Sequence, residues 1–431
     1  MSLRKFKTVA ALAGAAILLS GVAACSQERE TPGGDDEGTE SEAPAAEDVT
    51  VGISMPTRSL ERWNKDGAQL EGLLQEAGYE TDLQFADDEV EQQISQIQNM
   101  VNAEVDILVI AAIDGTALAP ILAEAKAGDI TVIAYDRLIN ETPDVDYYAT
   151  FDNYQVGTFQ GEFIRDALDL DNAEGPFNLE PFAGSPDDNN AKFFFAGAWD
   201  VLKPYFDEGK LVTPSGKAPA TNDDWQSIGI PGWKTEGAQN EMTTRLNSFY
   251  NDGTPLHAVL SPNDSLALGI AQALETAGIT PGADYPVLTG QDGDQANVIN
   301  MLADKQSMTV WKDTRVLAQR AATMVDQIVA GEEVEVTDTE TYDNGVKKVP
   351  TYLEDPKVVT KDTVESELVE SGFYSAEDLG LRGRLPGDPR EASPPCPTAP
   401  SPRAPRRAVR RSPTPSSRCG PSPRRSPASW P

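Results

Sequence analysis

The chain of 431 residues contains very little cysteine and histidine. Its three cysteines are Cys25, Cys396 and Cys419, so the long middle of the chain has none. A disulfide, a zinc–thiolate site and a thiol nucleophile are therefore excluded from that middle part. The only histidine, His257, stands at the start of a predicted strand, and no GxSxG motif is present, so a nucleophilic triad has no support.

Positive charge is also scarce over most of the chain. There are 35 Lys and Arg against 69 Asp and Glu, for a net charge of −34. Residues 381–431 hold 11 Arg with only Asp388 and Glu391 as acids, about +9, so the rest of the chain carries about −43. Such an acidic body repels nucleic acid phosphates and anionic lipid head groups, so we expect neither as its main partner. A neutral ligand is easier to accommodate.

A long apolar run occurs only at the N-terminus. Three basic residues precede the uncharged run 8–24, a pattern typical of an export signal. The run closes with Val-Ala-Ala before Cys25, which resembles a bacterial lipobox. We therefore predict a lipoprotein signal peptide at 1–24 and lipidation at Cys25. The alternative, a transmembrane anchor, fits poorly because the stretch is short and rich in Ala.

The regions beside the body have compositions that do not support a core. Residues 25–48 are acidic with hardly any bulky apolar side chain, so we predict a disordered tether. Residues 380–431 are rich in Pro and Arg without an apolar period, so we predict a disordered tail. The abrupt change of composition favours a frameshift artefact, and the alternative is a genuine basic tail that contacts cell-surface polyanions.

The body between these regions alternates apolar runs with amphipathic stretches of helical period. Each apolar run predicts a strand beside a helix. Such alternation over about 330 residues predicts an α/β fold with two doubly wound parallel-sheet lobes. The predicted strands are Val49–Met55, Thr81–Phe85, Val105–Ile113, Ile130–Tyr135, Phe177–Ala183, His257–Ser261, Tyr285–Thr289 and Met308–Trp311.

Polar side chains follow five of these strands. Ligands of open parallel sheets bind outside the carboxyl ends of the strands. An isolated Asp or Asn there is most often a helix cap or turn former, but Arg137 and Lys312 are not cap residues. A mixture of carboxylates, amides and cations suits a neutral polyol, whose hydroxyls both donate and accept. Trp63 and Trp233 are candidate plates for sugar C–H faces, or else core residues. The residues after the strands are Asp114, Asp136, Arg137, Asn263, Asp264, Gln291, Asp292 and Lys312.

At these residues the sequence resembles a known family, the type I periplasmic sugar-binding proteins of ABC importers. The resemblance is to the ribose, galactose and xylose type of these proteins. Within this type, the sequence is most similar to the branch of xylose and multiple-sugar receptors. The resemblance runs from about Val51 to Leu379, and chains of the family end near GFYSAEDL. The segments that carry it are SLERWNKDGAQ, IAAIDGT, IAYDRLI, VDYYATFDNYQVG, FAGSPDDNNAKFFFAGA, VLSPNDSLALGI, TGQDGD, WKDTR and TYDNGVKKVP.

The resemblance implies two lobes joined by a three-strand hinge that close on one pyranose. The first lobe would hold 49–151 plus about 313–336, and the second 152–312 plus about 337–379. Trp233 is the weaker transfer, because IGIPGW does not align with a family motif. The ligand contacts carried over by motif are Arg62, Trp63, Asp114, Asp136, Arg137, Asn189, Asn190, Trp233, Asn263, Asp264, Asp292 and Lys312.

The function implied is an extracytoplasmic, lipid-anchored and monomeric solute-binding protein. It would capture a monosaccharide of the xylose, glucose or galactose class and deliver it to a membrane ABC permease. No nucleic acid, cofactor or metal is expected. One alternative is a sugar-sensing receptor that docks on a membrane kinase or chemoreceptor. The other is a carbohydrate-active enzyme with Asp114, Asp136 or Asp292 as paired carboxylates, but the neighbouring Arg137 and Lys312 favour ionised carboxylates and hinder a general acid.

Overall fold

The computed structural model describes residues 46–282 and 284–381. The predicted signal peptide 1–24, the lipidation site Cys25, most of the tether 25–48 and the tail from residue 382 lie outside the described residues. Within the described ranges, the helices are too short or too polar to cross a bilayer.

Strands and helices alternate along the described chain. The strands are β1 (Thr50–Met55), β2 (Glu80–Phe85), β3 (Ile107–Ile110), β4 (Thr131–Tyr135), β5 (Tyr147–Phe151), β6 (Phe177–Pro181), β7 (Leu211–Val212), β8 (Ala258–Leu260), β9 (Val287–Leu288), β10 (Met308–Trp311), β11 (Thr351–Glu354) and β12 (Lys357–Thr360). The helices are α1 (Glu61–Glu76), α2 (Val90–Asn102), α3 (Ala119–Ala127), α4 (Asn153–Ala167), α5 (Asn189–Asp207), α6 (Thr235–Phe249), α7 (Asp264–Thr276), α8 (Gln295–Leu302) and α9 (Thr314–Ala330).

The first lobe is built on a six-stranded parallel sheet with the order β11-β5-β4-β3-β1-β2. All four residues of β3 are buried, as expected for a parallel strand that is covered on both faces. Helices α1 and α9 cover one face, where Leu70 and Leu317 are fully buried. Helices α2 and α3 cover the other, with Met100 and Leu122 in its core. The sheet is therefore doubly wound, as the sequence predicts.

The second lobe has a four-stranded parallel sheet with the order β7-β6-β8-β9. A bridge between Gln291 and Val310 connects its edge to β10, which pairs antiparallel with β12. Helices α4 and α5 approach each other closely because two glycines lie at their contact. A Cβ at Gly157 would stand 1.9 Å from the backbone oxygen of Phe194, and one at Gly197 would stand 2.0 Å from that of Tyr154.

The chain passes between the lobes three times: from β5 to α4, from β10 to α9, and from β11 to β12. Two of these passages begin a helix with an aspartate cap. Asp152 accepts from the backbone N–H of Gln155 at 2.9 Å, and Asp313 accepts from that of Arg315 at 3.1 Å. The passages are thus short segments between rigid elements.

One segment lies in a different lobe from the expected one. The expectation placed residues from about 337 to 379 in the second lobe, but β11 pairs with β5 at the edge of the first sheet. The reason is the backbone ladder: Thr351 is fully buried and pairs with Tyr148. Residues 337–354 therefore accompany the first lobe, and the second lobe resumes at β12.

Candidate functional site

A cavity lies between the two lobes. Side chains from both lobes line it, and most of them are polar. They are Leu60, Arg62, Trp63, Asp136, Arg137, Asp188, Asn190, Phe194, Trp233, Asn263, Ser265, Gln291, Asp292, Asp294 and Lys312.

The first lobe contributes cavity residues from the N-terminal turn of α1 and from the end of β4. Arg62 and Trp63 lie in the first turn of α1, with side chains buried against the sheet. Asp136 and Arg137 follow β4 directly, and Asp136 has a left-handed backbone with φ 59°. Because the carboxyl ends of parallel strands meet at one edge of a sheet, this turn faces the other lobe.

The second lobe contributes cavity residues from the ends of strands and the first turns of helices. Asn190 and Phe194 lie on the first turns of α5, and Asn263 caps α7 by accepting from the N–H of Leu266 at 3.1 Å. Trp233 and Asp292 have positive φ angles of 55° and 99°. For these two side chains such a backbone is strained, and strain of this kind concentrates at functional sites.

Buried charges form a connected network across the cavity. Asp136 Oδ1 lies 2.9 Å from Arg62 Nη2 and 3.6 Å from Lys312 Nζ. Asp292 Oδ1 lies 3.1 Å from Lys312 Nζ and 3.3 Å from Arg62 Nη1. Asp292 belongs to the second lobe and Arg62 to the first, while Lys312 stands at the passage from β10 to α9. The network therefore links both lobes and one crossing.

The surroundings shift the pKa of several carboxyl groups. Burial alone would raise the pKa of Asp136, but the charges of Arg62, Lys312 and Arg137 outweigh burial and lower it. Asp136 is therefore ionised at neutral pH. Burial and the nearby Asp292 have the opposite effect on Asp294 and raise its pKa.

Asp66 supports Arg62 from behind the cavity. It is fully buried, accepts from Arg62 Nε at 3.1 Å, and accepts a hydrogen bond from the Tyr135 hydroxyl. Burial raises its pKa to about 6, although the charge of Arg62 opposes this shift. The pair fixes the guanidinium so that its outer nitrogens point towards Asp136 and Asp292.

Asp188 is a cavity residue that sequence reasoning missed. Its Oδ2 lies 2.9 Å from Arg137 Nε of the first lobe and accepts from Trp233 Nε1 at 3.1 Å. Its Oδ1 accepts from the N–H of Asn190 at 2.9 Å, which makes it the N-cap of α5. One carboxylate thus orients an arginine, an indole and a helix start.

Nine of the twelve predicted contact residues line the cavity, and three do not. Asp114 and Asn189 line a separate depression near the rim, where Asp114 Oδ1 accepts from the N–H of Thr116 at 2.7 Å in a local turn. Asp264 is fully buried behind the cavity, where its Oδ2 accepts from the N–H groups of Gly293 at 3.0 Å and Asp294 at 2.9 Å. Asp264 therefore shapes the turn that carries Asp292 rather than facing the cavity.

The cavity residues absent from the prediction lie mostly on helices and loops instead of strand ends. The exception is Gln291, which follows β9 and is singled out as a strand-end residue in the sequence. A cap signal precedes α5 at Asp188, and the aromatic run after it includes Phe194. The residues missed altogether are Leu60, Asp188, Phe194, Ser265 and Asp294.

Several buried polar atoms of cavity residues lack an aligned hydrogen bond. Although the Arg62–Asp136 and Arg137–Asp188 pairs are close, their geometry leaves Arg62 Nη2, Asp136 Oδ1 and Arg137 Nε without one. The same holds for Gln291 Oε1. The three arginine and aspartate atoms are held in ion pairs at 2.9 Å, so their hydrogen-bonding capacity is only partly used and a polar ligand can complete it. Aromatic surfaces of Trp63, Phe194 and Trp233 border them. This combination is suited to a polyol with apolar ring faces.

The residues present give no sign of a metal centre. Among residues 46–282 and 284–381, no cluster of three or more His, Cys, Asp or Glu has the arrangement of a metal site.

The fold and the interlobe cavity define a class of binding protein. Residues 51–333 match the family described as periplasmic binding protein domain, and the chain belongs to this family. The relatives described next are named as sugar receptors and sugar-binding proteins, not as enzymes.

Individual relatives match over nearly their whole length. The chain is 48% identical over 336 residues to the multiple sugar-binding periplasmic receptor ChvE of Rhizobium radiobacter, covering 78% of this chain and 93% of that protein. It is 36% identical over 334 residues to the D-xylose-binding periplasmic protein of Escherichia coli, covering 78% and 93%. A solved ABC transporter solute-binding protein from Clostridium phytofermentans with bound β-D-glucose is 50% identical, with a TM-score of 0.73 over 77% of this chain and 99% of that one.

Proposed function

We propose that this protein is an extracytoplasmic solute-binding protein that captures one monosaccharide between its lobes and delivers it to an ABC importer. The observation that carries the proposal is the interlobe cavity, in which buried charged and aromatic side chains of both lobes converge. The relatives named for sugar binding, and the neighbour that holds β-D-glucose, support the substrate class.

The charge balance of the cavity favours an uncharged ligand. Three cations, Arg62, Arg137 and Lys312, face three carboxylates, Asp136, Asp188 and Asp292. The fourth acid of the cavity is Asp294, whose pKa burial and the nearby Asp292 raise to about 8, so it is mostly protonated at pH 7 and leaves this balance unchanged. A sugar with a net charge would bring a charge of like sign next to one of these buried groups without a new partner. An uncompensated buried charge is costly. Xylose, glucose and galactose bring only hydroxyls, each able to accept from a cation and donate to a carboxylate.

The nine cavity residues among the twelve contacts predicted from the sequence are proposed as ligand contacts, and Asp188 and Phe194 are added to them. The hydroxyls would satisfy the unaligned atoms of Arg62, Asp136 and Arg137, and the indoles would contact the ring faces. A hydrogen bond to a charged group contributes about 1.5–3 kcal/mol. Several such bonds support micromolar affinity, about −8 kcal/mol, after the entropic cost of association.

Capture would proceed by closure of the two lobes on the sugar. Each lobe alone presents half of the contacts, so only the closed form makes all of them. A sugar that binds the closed form better shifts the population towards it. The closed form, with its two lobes in fixed relation, is what a membrane permease would recognise.

The proposal includes a lipid anchor at Cys25, a position on the outer face of the cytoplasmic membrane, and a monomeric state. The lipobox-like sequence supports the anchor, and the acidic stretch after it would give clearance from the membrane. Replacement of Cys25 by Ser should move the protein from the membrane to the soluble fraction and abolish labelling by a fatty-acid analogue. Equal labelling of both forms would contradict the anchor.

The sugar hypothesis is tested by thermal shift against xylose, glucose, galactose, arabinose and ribose. A sugar at one hundred times its Kd stabilises the folded protein by about 2.7 kcal/mol, so Tm should rise by several degrees. The scattering radius should shrink with the same sugar, because the lobes close. Glycerol at equal concentration is the control. If neither Tm nor radius responds to any monosaccharide, the proposed function is wrong.

A further inference from the structure

The GFYSAEDL sequence, which the family resemblance marks only as the end of the body, contacts both lobes. We call residues 371–379 the C-terminal strap. On the second-lobe side, Tyr374 packs in a cluster with Val298 and Leu368. On the first-lobe side, Arg315 Nη1 of α9 donates to the backbone oxygen of Ser371 at 3.0 Å. The strap therefore spans the boundary between the lobes.

The Tyr374 hydroxyl is the central polar group of this strap. It lies 2.9 Å from Glu61 Oε1 of α1, in the first lobe, and 2.8 Å from the backbone oxygen of Gly293, in the second. It also accepts from Lys65 Nζ at 2.6 Å. The Tyr374 side chain is 6% exposed, whereas the side chains of Lys65 and Glu61 are 31% and 34% exposed, so their contacts are only partly shielded from water. The hydroxyl has one proton, which it donates to Glu61 Oε1 or to the Gly293 oxygen at any one time. Burial and the charge of Glu61 raise the pKa of Tyr374, which keeps its proton available for donation.

Glu61 makes a second bond across the boundary. Its Oε2 accepts from the backbone N–H of Gln295 at 3.1 Å, in the first turn of α8. A carboxylate is favoured there because the first N–H groups of a helix lack partners within it and carry partial positive charge. Lys65 Nζ, 2.6 Å from Glu61 Oε1, holds the carboxylate in place.

These groups adjoin the cavity without lining it. Glu61 precedes Arg62, and Gly293 follows Asp292, so the strap connects the chain neighbours of an ion pair that joins the lobes. Neither Glu61 nor Tyr374 is among the cavity residues. Their bonds depend on closure of the lobes and make no contact with a sugar in the cavity.

We propose that Glu61 and Tyr374 form a latch that stabilises the closed lobes and sets the affinity for sugar without selecting which sugar binds. This inference rests on the proposed function. The apparent affinity of a ligand scales with the fraction of protein in the binding-competent state. Loosening the latch therefore weakens every sugar by the same factor, whereas a change at a cavity residue alters the preference between sugars.

The test uses the full chain with Tyr374→Phe, which removes only the hydroxyl, and Glu61→Gln. The Kd values for glucose and xylose should both rise by about 5- to 30-fold, through faster dissociation. This is less than for a fully buried hydrogen bond to a charged group, because the Glu61 side chain is 34% exposed. The ratio of the two Kd values should stay within about twofold of wild type. The double variant should weaken binding by less than the product of the single effects, because the two groups act on each other.

Tyr154→Phe is the matched control. The Tyr154 hydroxyl also bonds a carboxylate, Asp200 Oδ2 at 2.6 Å, but both residues belong to the second lobe. Its Kd values should equal those of wild type. A Tyr374→Phe protein with wild-type Kd values, or with a changed sugar ratio, would overturn the latch.

Failure of the proposed function is a separate outcome. If wild type binds no sugar, the latch is measured in the unliganded protein from the distance between one dye on each lobe. Tyr374→Phe should then lower the population with the short distance, and Tyr154→Phe should not. Identical distance distributions would refute the latch.

Discussion

At the scale of residues, Asp136 illustrates how one carboxylate serves two purposes. Its Oδ1 balances Arg62 and Lys312, both buried, and its backbone oxygen accepts from Asn190 Nδ2 of the second lobe at 2.7 Å. Its left-handed backbone turns the side chain from the end of β4 towards the opposite lobe. The turn therefore positions the Asp136 carboxylate, and the hydrogen bond from Asn190 of the second lobe fixes the turn.

Asp136→Asn should weaken monosaccharide binding by about 10- to 100-fold, because a charge-assisted bond to a hydroxyl is lost. Tm should fall as well, since the buried cations Arg62 and Lys312 lose one of their carboxylate partners and keep only Asp66 and Asp292. Asn tolerates the left-handed backbone, so the turn itself is preserved. Calorimetric titration with glucose and thermal melting measure the two effects. The exposed Asp252→Asn serves as control, and unchanged affinity in Asp136→Asn would contradict the assignment.

Asp66 predicts a dependence of stability on pH. Its folded pKa of about 6 exceeds the ordinary value near 4, so the folded state favours the protonated form. The stability from this group is complete below about pH 4 and is lost as pH rises through about 6. Wild-type Tm should therefore fall relative to that of Asp66→Asn between pH 4.5 and 7. Parallel Tm curves for the two proteins over this range would refute the shift.

The polar residues that follow strands predict much of the cavity lining, but their position in the sequence does not predict which way each side chain points. Asp136, Arg137 and Lys312 follow strands and line the cavity, as the parallel-sheet rule predicts. Asp114 also follows a strand, yet its carboxylate bonds to Thr116 in a local turn, and the sequence does not distinguish these outcomes. Asp188 was missed because its role depends on contacts with a tryptophan and an arginine that are distant in sequence.

At the scale of elements, the packing of α4 on α5 places part of the cavity. Helix α5 carries Asn190 and Phe194, and its distance from α4 is set by glycines at the contact. Side chains larger than hydrogen at these glycines would push α5 away from α4. The position of two cavity residues therefore depends on a helix contact outside the cavity.

Gly157→Ala should destabilise the protein by about 1–3 kcal/mol, because the new Cβ would overlap the backbone of α5 and force it to move. Sugar affinity should fall with it. The matched control is Gly72→Ala in α1, where a Cβ meets nothing within 4 Å. That change should stabilise the helix by about 0.5–1 kcal/mol. Urea unfolding measures both, and equal stability of the two variants would contradict the packing argument.

The strands that lie in continuous apolar runs were predictable as elements, while the edge strands with mixed polar and apolar residues were not. Residues 107–110 lie within a continuous apolar run, and such a run is typical of a parallel strand that is buried on both faces. Strands β11 and β12 have four residues each, with polar side chains interspersed, and their pairing partners lie far away in sequence. The misplacement of residues 337–354 follows from this, since only the pairing with β5 reveals their lobe.

At the scale of the whole molecule, the large negative charge acts on folding and on binding in different ways. Exposed acids repel one another, and salt screens that repulsion beyond about 10 Å at 0.1 M. The ion pairs around the cavity are buried and are screened much less.

An increase in NaCl from 0.05 to 0.5 M should therefore raise Tm by a few degrees. The Kd for a neutral sugar should change by less than about twofold over the same range. Thermal melting and calorimetric titration at the two salt concentrations measure these effects. A steep fall in the affinity for the neutral sugar with salt would contradict a site in which buried, mutually balanced charges bind only hydroxyl groups.

The three passages between the lobes also make this chain suitable as an optical sensor. The proposed closure would bend the chain at the few peptide units of these passages. The passage from β11 to β12 includes Asp355, whose side chain is exposed and far along the chain from the cavity residues. Insertions are best tolerated at exposed connections of this kind. A circularly permuted fluorescent protein spliced in at Asp355 would be deformed by each bending event, so that its brightness would report sugar concentration while the cavity itself stayed unaltered.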